Sequence, residues 1–321
     1  VAPYRTVAAR AVARCRVRGS IVASLLGAAV VAGACSPGGV LPDGAAARTL
    51  VAASPAAVHF GVTDEPLDSL IFEERMAFAR AHGLAQLPIG EVIVALGRTF
   101  LGTPYAPGTL EVDGPERLVV NLRELDCVTY VESVLALARV VRAGTPDYGS
   151  YKRELARIRY RAGTLDGYAS RLHYFSEWIS DNGAKGIVRD VTAEIGGRPR
   201  PGRIGFMTAR REAYRQLGDP AVAAAIERIE ARLSGVTRYY IPQESIAVLE
   251  SAIRDGDIVA ATSTLDGLDV AHTGFAIRVD GRVHLMHAPL AGGVVEISRQ
   301  PLAERIRGIA TQDGIMVARP Q

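Results

Sequence analysis

The chain has 321 residues, 48% of them hydrophobic and 22% charged, with 33 Gly, 17 Pro and three Cys. That is a globular composition of roughly two domains' length, and it excludes a disulfide scaffold, a collagen-like or disordered polymer and, with only one long apolar run, a polytopic membrane protein. The formal charge of +3 sits in the first 34 residues, which carry five Arg and no acid, so the remainder is at −2; with no Arg cluster interleaved with aromatics, nucleic acid is set aside as a partner.

In chain order, the first element is a leader. Arg14, Arg16 and Arg18 precede a 15-residue small and apolar run, 20–34, which ends Ala32-Gly33-Ala34-Cys35-Ser36. This is the layout of a bacterial export signal, and the run is shorter than the roughly 20 residues a bilayer-spanning helix needs. Its end resembles a lipobox, with Ala32 where Leu or Val is preferred, which implies lipidation of Cys35 and a membrane-anchored lipoprotein of the cell envelope or periplasm. Cleavage after Ala34 is the alternative. We therefore expect an export signal over 1–35, a flexible Ala/Gly/Pro-rich spacer over 36–58 and a catalytic domain over 59–321.

Within that domain, 64–85 and 88–100 show helical spacing and form an expected helical lead-in over 59–100. The loop Gly102-Thr103-Pro104-Tyr105-Ala106-Pro107-Gly108 follows. A third helix is predicted after Cys127, because Val131, Val134, Leu135 and Ala138 fall at offsets of 4, 7, 8 and 11 from it. Residues 145–253 read as a mostly helical insertion, clearest at 153–160, 172–179 and 221–233. Beyond it, 256–261, 270–279, 283–287, 294–297 and 315–318 read as strands, with Asp280-Gly281 as a hairpin turn. Helices first and an antiparallel sheet later give an α+β fold.

Cys127 would be the one thiol left in an oxidising compartment if Cys35 is acylated. A helix N-terminus favours a thiolate by about 0.3–1 kcal/mol, up to about 2 when partly buried, which lowers the thiol pKa by around one unit at most. A nucleophile therefore needs a nearby base; without one, Cys127 reads equally well as a small core residue. Two of the six histidines supply candidates. His272 shares a strand face with Gly274 and Ala276, whose small side chains leave room for a helix to pack closely there. The turn at Asp280-Gly281 brings His287 beside His272, whereas His284 points to the opposite face and reads as structural or exposed.

At these residues the chain resembles a known family. Asp126-Cys127-Val128-Thr129-Tyr130, Gly256-Asp257-Ile258-Val259, His272-Thr273-Gly274-Phe275-Ala276-Ile277 and His287-Ala288 are similar to the successive motifs of the NlpC/P60 cell-wall cysteine hydrolases, which have a papain-like core. The resemblance is closer to the DUF1460 branch, described as N-acetylmuramoyl-L-alanine amidase-like, through Gly102-Thr103-Pro104-Tyr105, Gly108-Thr109-Leu110-Glu111, Val119-Val120-Asn121-Leu122 and Ser170-Arg171-Leu172-His173-Tyr174-Phe175.

The resemblance implies a nucleophile helix packed on an antiparallel sheet, with Cys127 as nucleophile, His272 as base and His287 as the orienting third residue. It places Tyr105 near the thiol, to donate to substrate or oxyanion, and Asp126 where relatives contact a substrate amine, a position that is also an ordinary helix cap. Arg171 and His173 are candidates to line the cleft and meet a carboxylate or sugar. Endopeptidase members commonly carry Ser directly after the Cys, to hold a free N-terminal L-alanine, and here that residue is Val128.

The implied activity is cleavage of a peptidoglycan amide bond, either N-acetylmuramoyl-L-alanine or a bond in the stem peptide, with peptidoglycan or muropeptides as partners and no cofactor. A zinc amidase lacks its ligand motifs, since there is no His-Glu-x-x-His and no Cys-x-x-Cys. Two other readings use the same cleft: a catalytically silent muropeptide-binding lipoprotein, and a thiol-dependent acyltransferase.

Overall fold

In a computed structural model of the chain, residues 61–321 are described, and they belong to one compact unit. The leader, Cys35 and the spacer lie outside the described residues. The elements run β1 (Val62–Thr63), α1 (Pro66–Ala81), α2 (Ile89–Arg98), β2 (Leu118–Val119), α3 (Cys127–Arg142), α4 (Tyr148–Arg159), α5 (Phe175–Ala184), β3 (Val188–Asp190), β4 (Arg198–Arg200), α6 (Pro220–Ser234), β5 (Arg238–Pro242), α7 (Ile246–Leu249), β6 (Ile258–Ser263), β7 (Val270–Val279), β8 (Arg282–His287), β9 (Glu296–Ile297), α8 (Leu302–Arg307) and β10 (Gln312–Pro320). The fold is α+β, as expected.

The helical lead-in forms where the sequence places it. Pro66 opens α1, and Glu65 with Asp68 makes a capping box whose carboxylate accepts the Glu65 N–H at 2.9 Å. Buried Asp68 reaches further, accepting the Leu122 N–H at 2.8 Å and Arg123 Nε at 3.1 Å, and so ties α1 to the chain entering α3.

The main sheet is antiparallel, in the order β4-β5-β10-β6-β7-β8-β9, with β3 also pairing to β10. One face, carrying Ala260, Phe275, Ile277 and Met286, packs under α2 and α3. The other, carrying Val259, Ala261, Ala276, Leu285 and Val317, packs under α7 and α8. Asp280 (φ 49°) and Gly281 (φ 82°) turn β7 into β8 with two left-handed residues, as a type I′ hairpin requires. Gly256 (φ 82°) precedes β6 at a point where a Cβ would meet Gly90 Cα at 2.5 Å, so α2 and the sheet touch backbone to backbone. Beside it, buried Asp257 takes both Nε (2.9 Å) and Nη2 (2.8 Å) of Arg319, locking β6 to β10.

One expectation is corrected. Residues 145–253 are not simply helical: β3, β4 and β5 lie within them, and all three join the main sheet, β3 and β5 along one edge of β10. These strands are three to five residues long, and pairing with an existing edge decides their state where local propensity does not. A helix does pack on the His272 face of the sheet, as expected, and it is α8. By register, His272 pairs with Ala261 and shares the face of Gly274 and Ala276, which lies under α8, while α3 meets the Phe275 face. Gly274 accommodates the neighbouring strand, not a helix, since a Cβ there would meet Met286 O at 2.7 Å and His287 Cβ at 2.8 Å.

Helix α3 is buried almost all round and holds one acid, Glu132, which accepts Arg159 Nε of α4 at 2.6 Å and Trp178 Nε1 of α5 at 3.2 Å. Both charged side chains are at most 3% exposed. Because removing one partner leaves a buried charge unpaired, Glu132→Ala is expected to cost about 3–5 kcal/mol of stability, measured by urea unfolding at neutral pH; a loss below about 1 kcal/mol would show that the pair is dispensable to the fold.

Candidate active site

The first turn of α3, the start of β7 and the loop entering α5 enclose a pocket of about 230 Å³, lined among others by Cys127, Val128, Arg171, His173, His272 and Thr273. Asp126 caps α3. Its Oδ1 accepts the Thr129 N–H and hydroxyl, each at 2.8 Å, while the Thr129 hydroxyl accepts the Asp126 N–H at 2.9 Å. This places Cys127 at the first helical position, partly open to the pocket.

The thiol behaves differently from the expectation based on the helix dipole. Burial first, and then the Asp126 carboxylate, push it up to about 12, against the pull of the Thr273, Val128 and Cys127 backbone N–H groups. Desolvation of a thiolate outweighs a helix-end effect of around one pKa unit. The Thr273 N–H is available to the sulfur because β8 pairs with β7 only as far as Phe275.

His272 Nε2 lies 2.7 Å from His287 Nδ1, with the rings nearly perpendicular at 82°. Burial, then Arg305, push His272 down to about 3; burial, then His272 and Arg305, push His287 to about 2. At neutral pH the site therefore rests as a protonated thiol beside two neutral imidazoles, and His272 Nδ1 is its remaining ring nitrogen. His284 is buried with Nδ1 2.7 Å from Ser298 O, a structural role as expected.

Tyr105 is held by its N–H bond to Gly293 O at 2.8 Å and by bridging to Leu125, two residues before Cys127. Burial, then Cys127 and Asp126, raise its phenol, so it stays a donor beside the sulfur. Asp126 lines the pocket, but its Oδ1 is engaged in the cap. Arg171 also lines it, yet its charge is already matched. Nη2 meets Glu111 at 2.5 Å, Nη1 donates to Leu110 O at 3.0 Å, and Nε lies 3.6 Å from Glu116. His173 Nε2 lies 2.9 Å from Tyr168 O, and burial, then Arg171, lower it to about 3.

Sequence reasoning missed Glu132, Arg159 and Asp269 on the pocket wall, as well as Glu296 and Arg305 behind the histidines. Only Glu132, a lone acid in a buried helical stripe five residues past Cys127, carried a local signal.

The pocket of this α+β fold thus brings together a thiol at a helix N-terminus and the His272 imidazole, which is bonded from behind to His287. In comparison with known proteins, the profile of the AmiA-like family, described as N-acetylmuramoyl-L-alanine amidase-like, matches residues 95–315. The chain belongs to this family. It is 36% identical to an N-acetylmuramoyl-L-alanine amidase from Bacteroides uniformis, covering 73% of this chain and 99% of that one with a TM-score of 0.70. It is 38% identical to a Bacteroides fragilis protein described as a xylanase, covering 70% and 98% with a TM-score of 0.67. A DUF1460 protein from Legionella pneumophila, 21% identical over 78% and 96%, shares the fold with a TM-score of 0.59. Among curated proteins no match is found.

The three lowered histidines set a pH dependence of stability. Below their ordinary value of 6.5 the unfolded chain takes up protons that the folded chain refuses until about 3, so stability is full above pH 6.5 and declines as pH falls through that window. Each histidine contributes at most about 1.4 kcal/mol per pH unit. Urea unfolding at pH 7, 6 and 5 is expected to show this decline, with a shallower slope in His173→Asn; a pH-independent stability would refute the buried neutral imidazoles.

Proposed function

We propose that the chain is an exported cell-wall cysteine hydrolase that cuts an amide bond of peptidoglycan, on a papain-like core of the NlpC/P60 type, with Cys35 as a lipid anchor in the cell envelope. The observation that carries this reading is the pocket shared by Cys127 and His272, with His272 bonded through its other nitrogen to His287 at 2.7 Å. His272 Nδ1 takes the thiol proton as sulfur bonds to the amide carbonyl carbon. The backbone N–H groups at the α3 N-terminus and the Tyr105 hydroxyl receive the developing oxyanion. The C–N bond then breaks, and the amine leaves with the proton from His272. Water, deprotonated by the same imidazole, hydrolyses the thioester and restores the thiol. When the bond joins muramic acid to L-alanine, the sugar's lactyl group is carried on sulfur and the stem peptide leaves.

A glycosidase reading would need two opposed carboxyl groups free to act as acid and base or nucleophile. In this pocket Glu132 and Glu111 are in ion pairs, Asp269 accepts the Ser176 and Val270 N–H groups, and Asp126 caps α3. The thiol and imidazoles are the free chemistry.

Cys127→Ala is expected to abolish turnover with the fold intact, and His272→Ala to cost more than His287→Gln, since an amide still orients an imidazole whereas the base itself has no substitute. Amide hydrolysis by the purified variants checks both, and wild-type rates in Cys127→Ala would remove the nucleophile assignment.

Val128 lines the pocket and has no hydroxyl to hold an amine. One hydrogen bond to a charged group is worth about 1.5–3 kcal/mol, so a free L-alanine amine is expected to confer roughly ten- to a hundredfold less preference here than where Ser follows the Cys. The comparison is a free stem peptide against the same stem on N-acetylmuramic acid. Strong preference for the free peptide, with no stem released from the sugar, would make a stem endopeptidase the better description.

A further inference from the structure

The hydrogen bond between the two histidines constrains more than their orientation. His272 uses Nε2 for His287, so only Nδ1 remains to take a proton from the thiol. A base at Nδ1 must carry its own proton on Nε2, which then donates to His287 Nδ1, and a neutral His287 must in turn carry its proton on Nε2. That Nε2 is buried, in a side chain 1% exposed, and has no hydrogen-bond partner. The opposite tautomer pair places a proton on His272 Nδ1 and disables it as a base.

A carboxylate is held opposite this orphaned donor. Glu296 of β9 pairs in register with His287 of β8, so both side chains stand on the same face, and Glu296 Oε1 lies 3.9 Å from His287 Nε2. Behind the pair, α8 presents Arg305, whose Nη1 is likewise buried and unpartnered and whose charge acts on both imidazoles and on Glu296. The titratable and charged groups facing the His287 ring are thus His272 from β7, Glu296 from β9 and Arg305 from α8, with Cys127 and Asp126 of the α3 start beyond His272.

We propose that Glu296 is a positioning residue that accepts the His287 Nε2 proton and so selects the base-competent tautomer of His272, completing a chain Cys127, His272, His287, Glu296. This rests on the cysteine-hydrolase reading above. A small side-chain rotation of half-exposed Glu296 closes the 3.9 Å gap to a hydrogen bond. When His272 takes the thiol proton, the Glu296 charge stabilises the imidazolium through His287. Arg305 opposes it, keeping both imidazoles neutral between turnovers.

The test uses the full protein with Glu296→Gln, Glu296→Ala, Glu296→Asp and Arg305→Gln. Glu296→Ala is expected to lower kcat roughly 10- to 100-fold, less than loss of the base itself, with KM unchanged. Glu296→Gln is expected to move the acid limb of kcat/KM to lower pH, Arg305→Gln to move it to higher pH, and Glu296→Asp to keep the wild-type limb. Two readouts need no substrate. Nitrogen NMR of the His287 ring should show the proton on Nε2 in the wild type and its loss in Glu296→Ala, and iodoacetamide should alkylate Cys127 about tenfold more slowly in Glu296→Ala. Unchanged kcat and unchanged NMR in Glu296→Ala would overturn the proposal. Amide hydrolysis surviving in Cys127→Ala would instead remove the hydrolase reading, while the NMR result would still decide the Glu296 to His287 link. Where a Glu296 variant unfolds, the opposite pH shift in Arg305→Gln carries the decision.

Discussion

Asp126 and Thr129 exchange hydrogen bonds of 2.8 and 2.9 Å, and that exchange decides where α3 begins. Each helical residue turns the side chain by about 100°, so a start one residue later would rotate the Cys127 sulfur out of the pocket. The cap is itself held from both sides. Upstream, buried Asp68 grips Leu122 and Arg123; downstream, Glu132 is fastened to Arg159 and Trp178. Cys127 thus owes its place to polar contacts at three points along this segment.

The electrostatics follow from the same burial. A thiol raised to about 12 beside imidazoles lowered to about 3 and 2 gives an uncharged resting site. The charges on the pocket wall are closed on themselves, Arg159 with Glu132 and Arg171 with Glu111 and Glu116. In the proposed reaction, charge separation therefore arises when an amide carbonyl occupies the pocket and its developing oxyanion meets waiting backbone donors. A desolvated neutral pair is also protected from adventitious alkylation and oxidation, because the reactive species is the thiolate.

The elements that carry the candidate chemistry were legible because each has a strong local signature. The apolar offsets after Cys127 and the hairpin turn at Asp280-Gly281 bring out α3, β7 and β8 close to their observed bounds. What escaped is what long-range contact decides. β3, β4 and β5 are short and gain their state from β10 and from each other, and Glu132 meets Arg159 across 27 residues of sequence. Glu296 and Arg305 have no periodicity that marks them; their relevance comes from the register of β9 and the docking of α8. Small residues at Gly274 and Ala276 read as a helix seat, and α8 takes that face, while β8 fills the space at Gly274 itself.

β10 occupies the interior of the sheet, bordered by β6 on one side and by β5 and β3 on the other, yet it follows every other described strand in the chain. During synthesis, β3 to β9 emerge before the strand that joins them, so β3 and the β4-β5 pair have no central strand to dock on and Asp257 has no Arg319 to meet. The sheet therefore assembles as a late, non-local event, with the loop-closure entropy of widely separated strands opposing it. Until β10 arrives, β6 presents an open edge able to capture a strand from another molecule, which makes the interval before closure the period of greatest exposure to aggregation.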